Sequence, residues 1–288
     1  MTFAPMLADK VKDRGGIDEI LTGDHWVLER KIDGHRLAVH HRPGRRDVGY
    51  KRNGALTNVA KGITEMLAPY DTEIILDGEW VGNRTLWVFD MPVGFGCETC
   101  TLERRRDKLE VLFDQGSELL GWDRSSPMRL LDQIGGDERP DFVEALRGRG
   151  AEGVIAKQIG SMYRPGKRHT SWRKLKFTHD VDCFVTRLRI GGKDNFGLGM
   201  IGRDGDVVEV AECTRGAGDG GRVKIGDVVT VKCLYSTPED KLYQPTYPKL
   251  RDDKAPTECT IDQLDDIRPD RDYEPLHLTD LETTEMLN

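Results

Sequence analysis

With 288 residues, 37% hydrophobic and 32% charged, the chain is too apolar for a disordered segment and too polar for a membrane protein, and its length predicts two ordinary domains. No apolar run approaches the ~20 residues that span a bilayer, and residues 1–10 have neither the basic nor the apolar region of a secretion signal, so a soluble, cytosolic protein is expected. The net charge of −7 argues at first against a phosphate-rich partner, yet it is local: 260–288 carries nine acids against Arg268 and Arg271, whereas 157–176 holds Lys157, Arg164, Lys167, Arg168, Arg173, Lys174 and Lys176 without one acid.

Short apolar strands are expected at 26–29 and 36–41, flanking a tight Lys31-Ile32-Asp33-Gly34 connection, and at 48–52. Val59, Ile63, Met66 and Leu67 fall at helical spacing before Pro69, which stops the helix. Adjacent antiparallel strands come next at 73–81 and 86–90. A surface helix is expected over 101–114, another from near Pro140 to Gly148 or Gly150, and a strand at 153–157. From about His179 the texture changes to glycine-punctuated strands at 181–190, 198–202, 207–213 and 228–234, the spacing of a small barrel or sandwich. The acidic stretch beyond Pro269 is weakly periodic and is expected to be partly disordered. It reads as a solubilising end or as a mimic of nucleic-acid charge.

Six cysteines include one CxxC, Cys97 and Cys100; with no second pair and no histidines at ligand spacing they read as reduced thiols. Gly216, Gly218 and Gly221 satisfy GxGxxG, but that fingerprint must open a helix, and here it leads into a turn and a strand.

The segment Glu29-Arg30-Lys31-Ile32-Asp33-Gly34-His35-Arg36 is weak alone and gains weight from six further motifs downstream of it. In order these are Arg52-Asn53-Gly54, Asp77-Gly78-Glu79, Phe89-Asp90, Glu152-Gly153-Val154-Ile155-Ala156-Lys157, Trp172-Arg173-Lys174-Leu175-Lys176 and Arg251-Asp252-Asp253-Lys254. This series resembles the ordered motifs of the covalent nucleotidyltransferases, specifically the ATP-dependent DNA ligases, from about Glu29 to Lys254.

The resemblance implies an α+β fold. An antiparallel-sheet nucleotidyltransferase (adenylation) domain over 1–178 would be succeeded by an all-β oligonucleotide-binding (OB) domain over 179–268 and an acidic tail over 269–288. It also implies a monomeric ligase using ATP and Mg²⁺ or Mn²⁺ to seal nicked duplex DNA through a lysyl-AMP. Lys31 would be the nucleophile. Free lysine has a pKa near 10.4, so an attacking amine needs neighbouring cations or a metal to favour its neutral form. Lys174 and Lys176, at i and i+2 on one strand face, would enter the same pocket and hold the α-phosphate. Glu79 and Glu152 offer hard oxygen ligands for the metal. Phe89 would stack on adenine, Glu29 would help recognise the base, and Lys157 would line the nucleotide site. Arg36 and Arg52 would contact ribose, the AMP phosphate or the nick 5′-phosphate, while Asp33, Asp77 and Asp90 read as supporting. Arg251 and Lys254 would orient the leaving pyrophosphate as the second domain closes, before it opens onto DNA. The basic stretch 157–176 and the OB domain would grip the duplex backbone. Only 30 residues precede Lys31, too few for a separate N-terminal DNA-binding domain, so a resemblance to the compact ligases of viruses and bacterial repair is expected. An RNA ligase, a capping-type guanylyltransferase and a non-catalytic OB module are the competing readings.

Overall fold

The computed structural model describes residues 2–188, 195–214 and 223–269. The described residues divide into two compact units: one is built from 2–146 and Gly153–Leu175, the other from Arg147–Glu152 and 176–269. The fold class is α+β, with three sheets.

In the first unit the elements are β1 (Leu7–Lys10), α1 (Arg14–Thr22), β2 (Trp26–Arg30), β3 (His35–His41), β4 (Val48–Lys51), β5 (Leu56–Thr57), α2 (Lys61–Leu67), β6 (Ile74–Val81), β7 (Thr85–Val93), α3 (Leu102–Leu120) and β8 (Met128–Leu130). After α4 (Arg139–Gly148) come β9 (Gly153–Gln158) and β10 (Arg168–Lys176). Six strands form one sheet in the order β5-β4-β3-β6-β7-β8, and four form another in the order β1-β10-β9-β2.

Strand β7 explains how the two sheets come to share a core. Successive strand residues point to opposite faces, and both faces of this strand are apolar. Leu86 and Val88, and Met91 after a register shift between the Val88 and Asp90 pairings, join Ile63, Leu76, Leu109 and Leu112 on the helical side. Trp87 and Phe89 face the other way, with Met6, Ile32, Leu131 and Trp172. Helix α3 buries Leu102, Arg105, Leu109, Leu112 and Gly116 along one stripe. It runs past the expected end at 114 to Leu120 and is capped by Gly121 at φ 72°.

The second unit holds β11 (His179–Leu188), β12 (Asn195–Ile201), β13 (Val207–Thr214), β14 (Val228–Cys233) and β15 (Thr246–Arg251). They form a sheet in the order β13-β12-β11-β14-β15, with each adjacent pair antiparallel. Val181, Val185, Phe196, Leu198, Val229 and Val231 fill its core, closed by Ile261, Leu264 and Ile267 from the short-pitch helix Ile261–Ile267. The GxGxxG glycines and the acidic tail beyond Pro269 lie outside the described residues.

Candidate active site

The KxDG segment lies where the chain leaves one sheet for the other, because β2 belongs to the four-stranded sheet and β3 to the six-stranded one. The crossing is pinned at its start by the Lys31 amide, which donates to the Gly153 carbonyl at 2.8 Å. At its end Gly34 passes so close to β6 that a Cβ there would lie 2.6 Å from the Trp80 carbonyl oxygen. The glycine of the motif is therefore a packing requirement. It brings β3 into register with β6, setting Arg36 opposite Glu79.

The half-buried Lys31 opens onto a cavity of about 1100 Å³ in the first unit, lined among others by Glu29, Arg36, Arg52, Glu79, Phe89, Lys157, Trp172 and Lys174. Eight residues singled out from sequence are thus brought together: Glu29, Lys31, Arg36, Arg52, Glu79, Phe89, Lys157 and Lys174. Its size is that of a small-molecule site.

The inner wall is a charged network set among aromatic rings. Lys157 and Glu29 are both buried; Lys157 Nζ donates to Glu29 Oε1 at 2.7 Å and to the Phe89 carbonyl at 3.0 Å. The same ammonium lies 4.6 Å from the Phe89 ring centre and 4.3 Å from that of Trp172, within cation–π range. Burial pushes the Glu29 carboxyl up and the Lys157 ammonium down, and their mutual attraction opposes both shifts. Lys157 is therefore no part of an exposed basic face. The expectation that all of 157–176 grips DNA is corrected at this position, because the side chain is spent on Glu29 and the cavity wall.

Arg36 is held as a fork. Its Nε and Nη2 donate to the two Asp77 oxygens at 2.6 and 2.7 Å, and its guanidinium sits 4.5 Å from the Phe89 ring centre. Asp77 also accepts from the Tyr163 hydroxyl at 2.5 Å, which itself accepts from the Met6 amide at 2.9 Å. Desolvation would weaken the Arg36 charge, but the Asp77 charge and hydrogen bonds outweigh it and raise the pKa above the ordinary arginine value. Asp90 supports in the same manner, gripping buried Arg105 at 2.7 and 2.9 Å.

The other expected residues lie outside the lining. Lys176, expected in the same pocket as Lys174, pairs with buried Glu152 at 2.9 Å and donates to Gln244 at 2.9 Å. Arg251 and Lys254 stand on the second unit. Lys254 donates to Asp182 at 2.8 Å, and Arg251 forks onto Asp253 at 2.6 and 2.7 Å. Among the described residues no group of three or more His, Cys, Asp or Glu side chains is assembled for a metal. The cavity lining holds two carboxylates, Glu29, which pairs with Lys157, and Glu79. Magnesium is commonly held by one or two carboxylates plus substrate phosphates, so this donor set fits a metal brought in with a nucleotide.

Three contributors escape sequence reasoning. Trp172 stands in a basic motif whose charges draw attention away from it, while Tyr163 and Gln133, the latter donating to Glu29 at 2.9 Å, carry no local signal. Tyr163 meets Asp77 across 86 residues and Gln133 meets Glu29 across 104.

A lysine on a sheet-crossing loop thus opens onto an aromatic, cation-rich cavity in an α+β unit, and a five-stranded β sheet comes after it in the chain. No protein-family model matches the chain. It is 29% identical over 285 residues to a probable DNA ligase of Anaeromyxobacter sp. strain K, covering 86% of this chain and 54% of that protein. Among solved structures it is similar to mycobacterial DNA ligase D complexed with ATP and MES (TM-score 0.50, 24% identity, 90% of this chain and 98% of that one). It is also similar to a Lig E DNA ligase studied for DNA binding with a minimal scaffold (TM-score 0.62, 17% identity, 87% and 100%). The chain therefore has the adenylation-plus-OB fold of the ATP-dependent DNA ligase core, and it spans about half the length of the curated relative it matches over 285 residues.

Proposed function

We propose that the protein is an ATP-dependent DNA ligase that seals 5′-phosphate/3′-hydroxyl nicks in duplex DNA, with 1–178 as the adenylation domain and 179–268 as the OB domain. The observation that carries this reading is the gathering of Lys31, Glu29, Arg36, Phe89, Lys157 and Lys174 on one cavity. A relative of the same fold has been captured with ATP.

In the first step the neutral amine of Lys31 attacks the α-phosphorus. A phosphorus–nitrogen bond forms, the bond to the bridging oxygen of the β-phosphate breaks, pyrophosphate leaves, and the amine proton passes to solvent. Lys174 supplies positive charge where the α-phosphate oxygens gain negative charge. Lys176 joins it only by exchanging its pairing with Glu152. Phe89 provides the adenine surface and Glu29 an acceptor for base recognition. Arg36, whose Nε and Nη2 are taken by Asp77, offers its remaining edge to ribose or phosphate, and Arg52 stands exposed at the cavity rim. Arg251 and Lys254 orient the departing pyrophosphate once freed from Asp253 and Asp182. A divalent metal held by Glu79 would neutralise phosphate charge, and Glu152 would serve as second ligand only on giving up its pairing with Lys176.

In the second step the AMP moves from Lys31 to the 5′-phosphate of the nick. In the third, the 3′-hydroxyl attacks that phosphate, a phosphodiester forms and AMP leaves. The test is sealing, with ATP and Mg²⁺, of matched nicks that are all-DNA or carry RNA strands. Sealing of the DNA nick supports the proposal; sealing restricted to RNA-containing nicks assigns the protein to RNA ligation. GTP replacing ATP in enzyme labelling assigns it to the capping class.

A further inference from the structure

We infer that Gln133 is a positioning residue for base specificity, fixing which oxygen of Glu29 receives the 6-amino group of the purine; the inference rests on the nucleotide reading of the cavity. Gln133 lies just past β8, where the chain passes from one sheet to the other. Residues Leu86, Trp87 and Val88 pair with Met128, Arg129 and Leu130 in the six-stranded sheet, and four residues later Ile134 bridges to Leu28 of β2. That bridge is made by two hydrogen bonds, Leu28 amide to Ile134 carbonyl at 2.7 Å and the reverse at 2.8 Å. It sets Gln133 directly beside Glu29.

The donor count on Glu29 then becomes informative. A carboxylate offers about four acceptor positions, two on each oxygen. Oε1 takes Gln133 Nε2 at 2.9 Å and Lys157 Nζ at 2.7 Å. Among the described residues Oε2 takes only Lys157 Nζ, at 2.7 Å. Oε1 is therefore saturated, and Oε2 retains one position on a side chain only 2% exposed, in a residue that lines the cavity. Gln133 lies outside the lining, so it acts through Glu29 and never on the nucleotide.

Only the NH₂ end of an amide can face a carboxylate, so Gln133 holds Glu29 as an acceptor. A purine carrying an amino group at position 6 donates to Oε2. One carrying an oxygen there is repelled, and one carrying only hydrogen leaves a buried acceptor unpaired, a loss specificity pockets exploit.

The experiment measures lysyl-AMP formation with ATP and with purine riboside triphosphate, which lacks the 6-amino group, for wild type, Gln133→Leu and Gln133→Met. Both variants remove the donor, and Gln133→Met keeps the side-chain length should Gln133→Leu fail to fold. A hydrogen bond to a charged group is worth about tenfold or more in equilibrium terms. The expected result is a rise of about tenfold in the ATP concentration that gives half the limiting rate, with the limiting rate itself little changed, a much smaller effect on the analogue, and hence a matching fall in the ATP-to-analogue preference. An equal loss with both nucleotides, or no loss, would show Gln133 to be merely structural and overturn the inference alone. Failure of the wild-type protein to form lysyl-AMP would overturn the nucleotide reading and the inference together.

Discussion

The Arg36–Asp77 fork is the residue-level feature on which the cavity most depends. Asp77 is fully buried and Arg36 is 16% exposed at its side chain, so deleting the carboxylate strands a cation in a poorly solvated place. Asp77→Ala should lower unfolding stability by about 3–5 kcal/mol, read by urea titration; a loss below about 1 kcal/mol would show the pair to be dispensable. On the second unit, Asp182 collects Lys254, Thr230 and Arg251. Burial raises its pKa, but the Lys254 and Thr230 hydrogen bonds and the two cationic charges outweigh burial and hold the carboxyl below its ordinary value. A depressed folded-state pKa gives stability that is present above the ordinary carboxylate range and lost as pH falls through the folded value. Between pH 5 and pH 2 the wild-type melting temperature should therefore fall more steeply than that of Asp182→Asn; parallel slopes would refute this. Residues inside motifs, such as Glu29, Lys31, Phe89 and Lys174, are legible in the sequence as candidates for one site, because local order along the chain marks them, and they do line one cavity. Gln133 and Tyr163 are not, because a single glutamine or tyrosine acquires its role only from a partner some hundred residues away.

Among the secondary-structure elements, apolar periodicity locates β2, β3, β6, β7, β9 and most strands of the second unit. It fails where propensity and packing disagree. Helix α1 carries Gly15 and Gly16 in its first turn, poor helix formers, and is fixed instead by Asp13, whose side chain accepts from the Gly16 amide. Its far end is held by buried Arg139, which donates to the carbonyls of Ile20, Gly23 and Trp26 at 3.1, 2.6 and 3.2 Å. In α3 the apolar pattern gives out at 114, ahead of Gly116. The packing shows why a glycine sits inside the helix: a Cβ there would meet the Trp122 ring at 2.2 Å. Gly116→Ala should thus destabilise, against the usual gain from alanine in a helix, by about 1–3 kcal/mol from overpacking. Chemical denaturation checks the sign, and stabilisation would mean that Trp122 has another place to go. The KxDG connection reads in sequence as a tight link between strands. That it crosses between two sheets cannot be inferred from the four residues, since pairing partners are chosen by β6 and β9.

For the protein as an entity in solution, the acidic net charge hides basic surfaces, and the proposed grip on duplex DNA is electrostatic. Arg164, Lys167 and Arg168 remain exposed or half-buried on the first unit, so duplex affinity should fall steeply with salt and vary little with sequence. Fluorescence anisotropy between about 50 and 200 mM salt reads this directly, and an affinity indifferent to salt would rule it out. The proposed function stands or falls with Lys31 as the covalent nucleophile of this cavity. The decisive experiment is to incubate wild type and Lys31→Ala with ATP labelled at the α-phosphate and Mg²⁺, map the adduct by mass spectrometry, and chase it with a 5′-phosphorylated DNA nick. The expected outcome is AMP on Lys31 alone, none in the variant, and discharge of the label with sealing of the nick. A stable adduct on another residue, or a folded wild-type protein that forms no adduct at all, would contradict it.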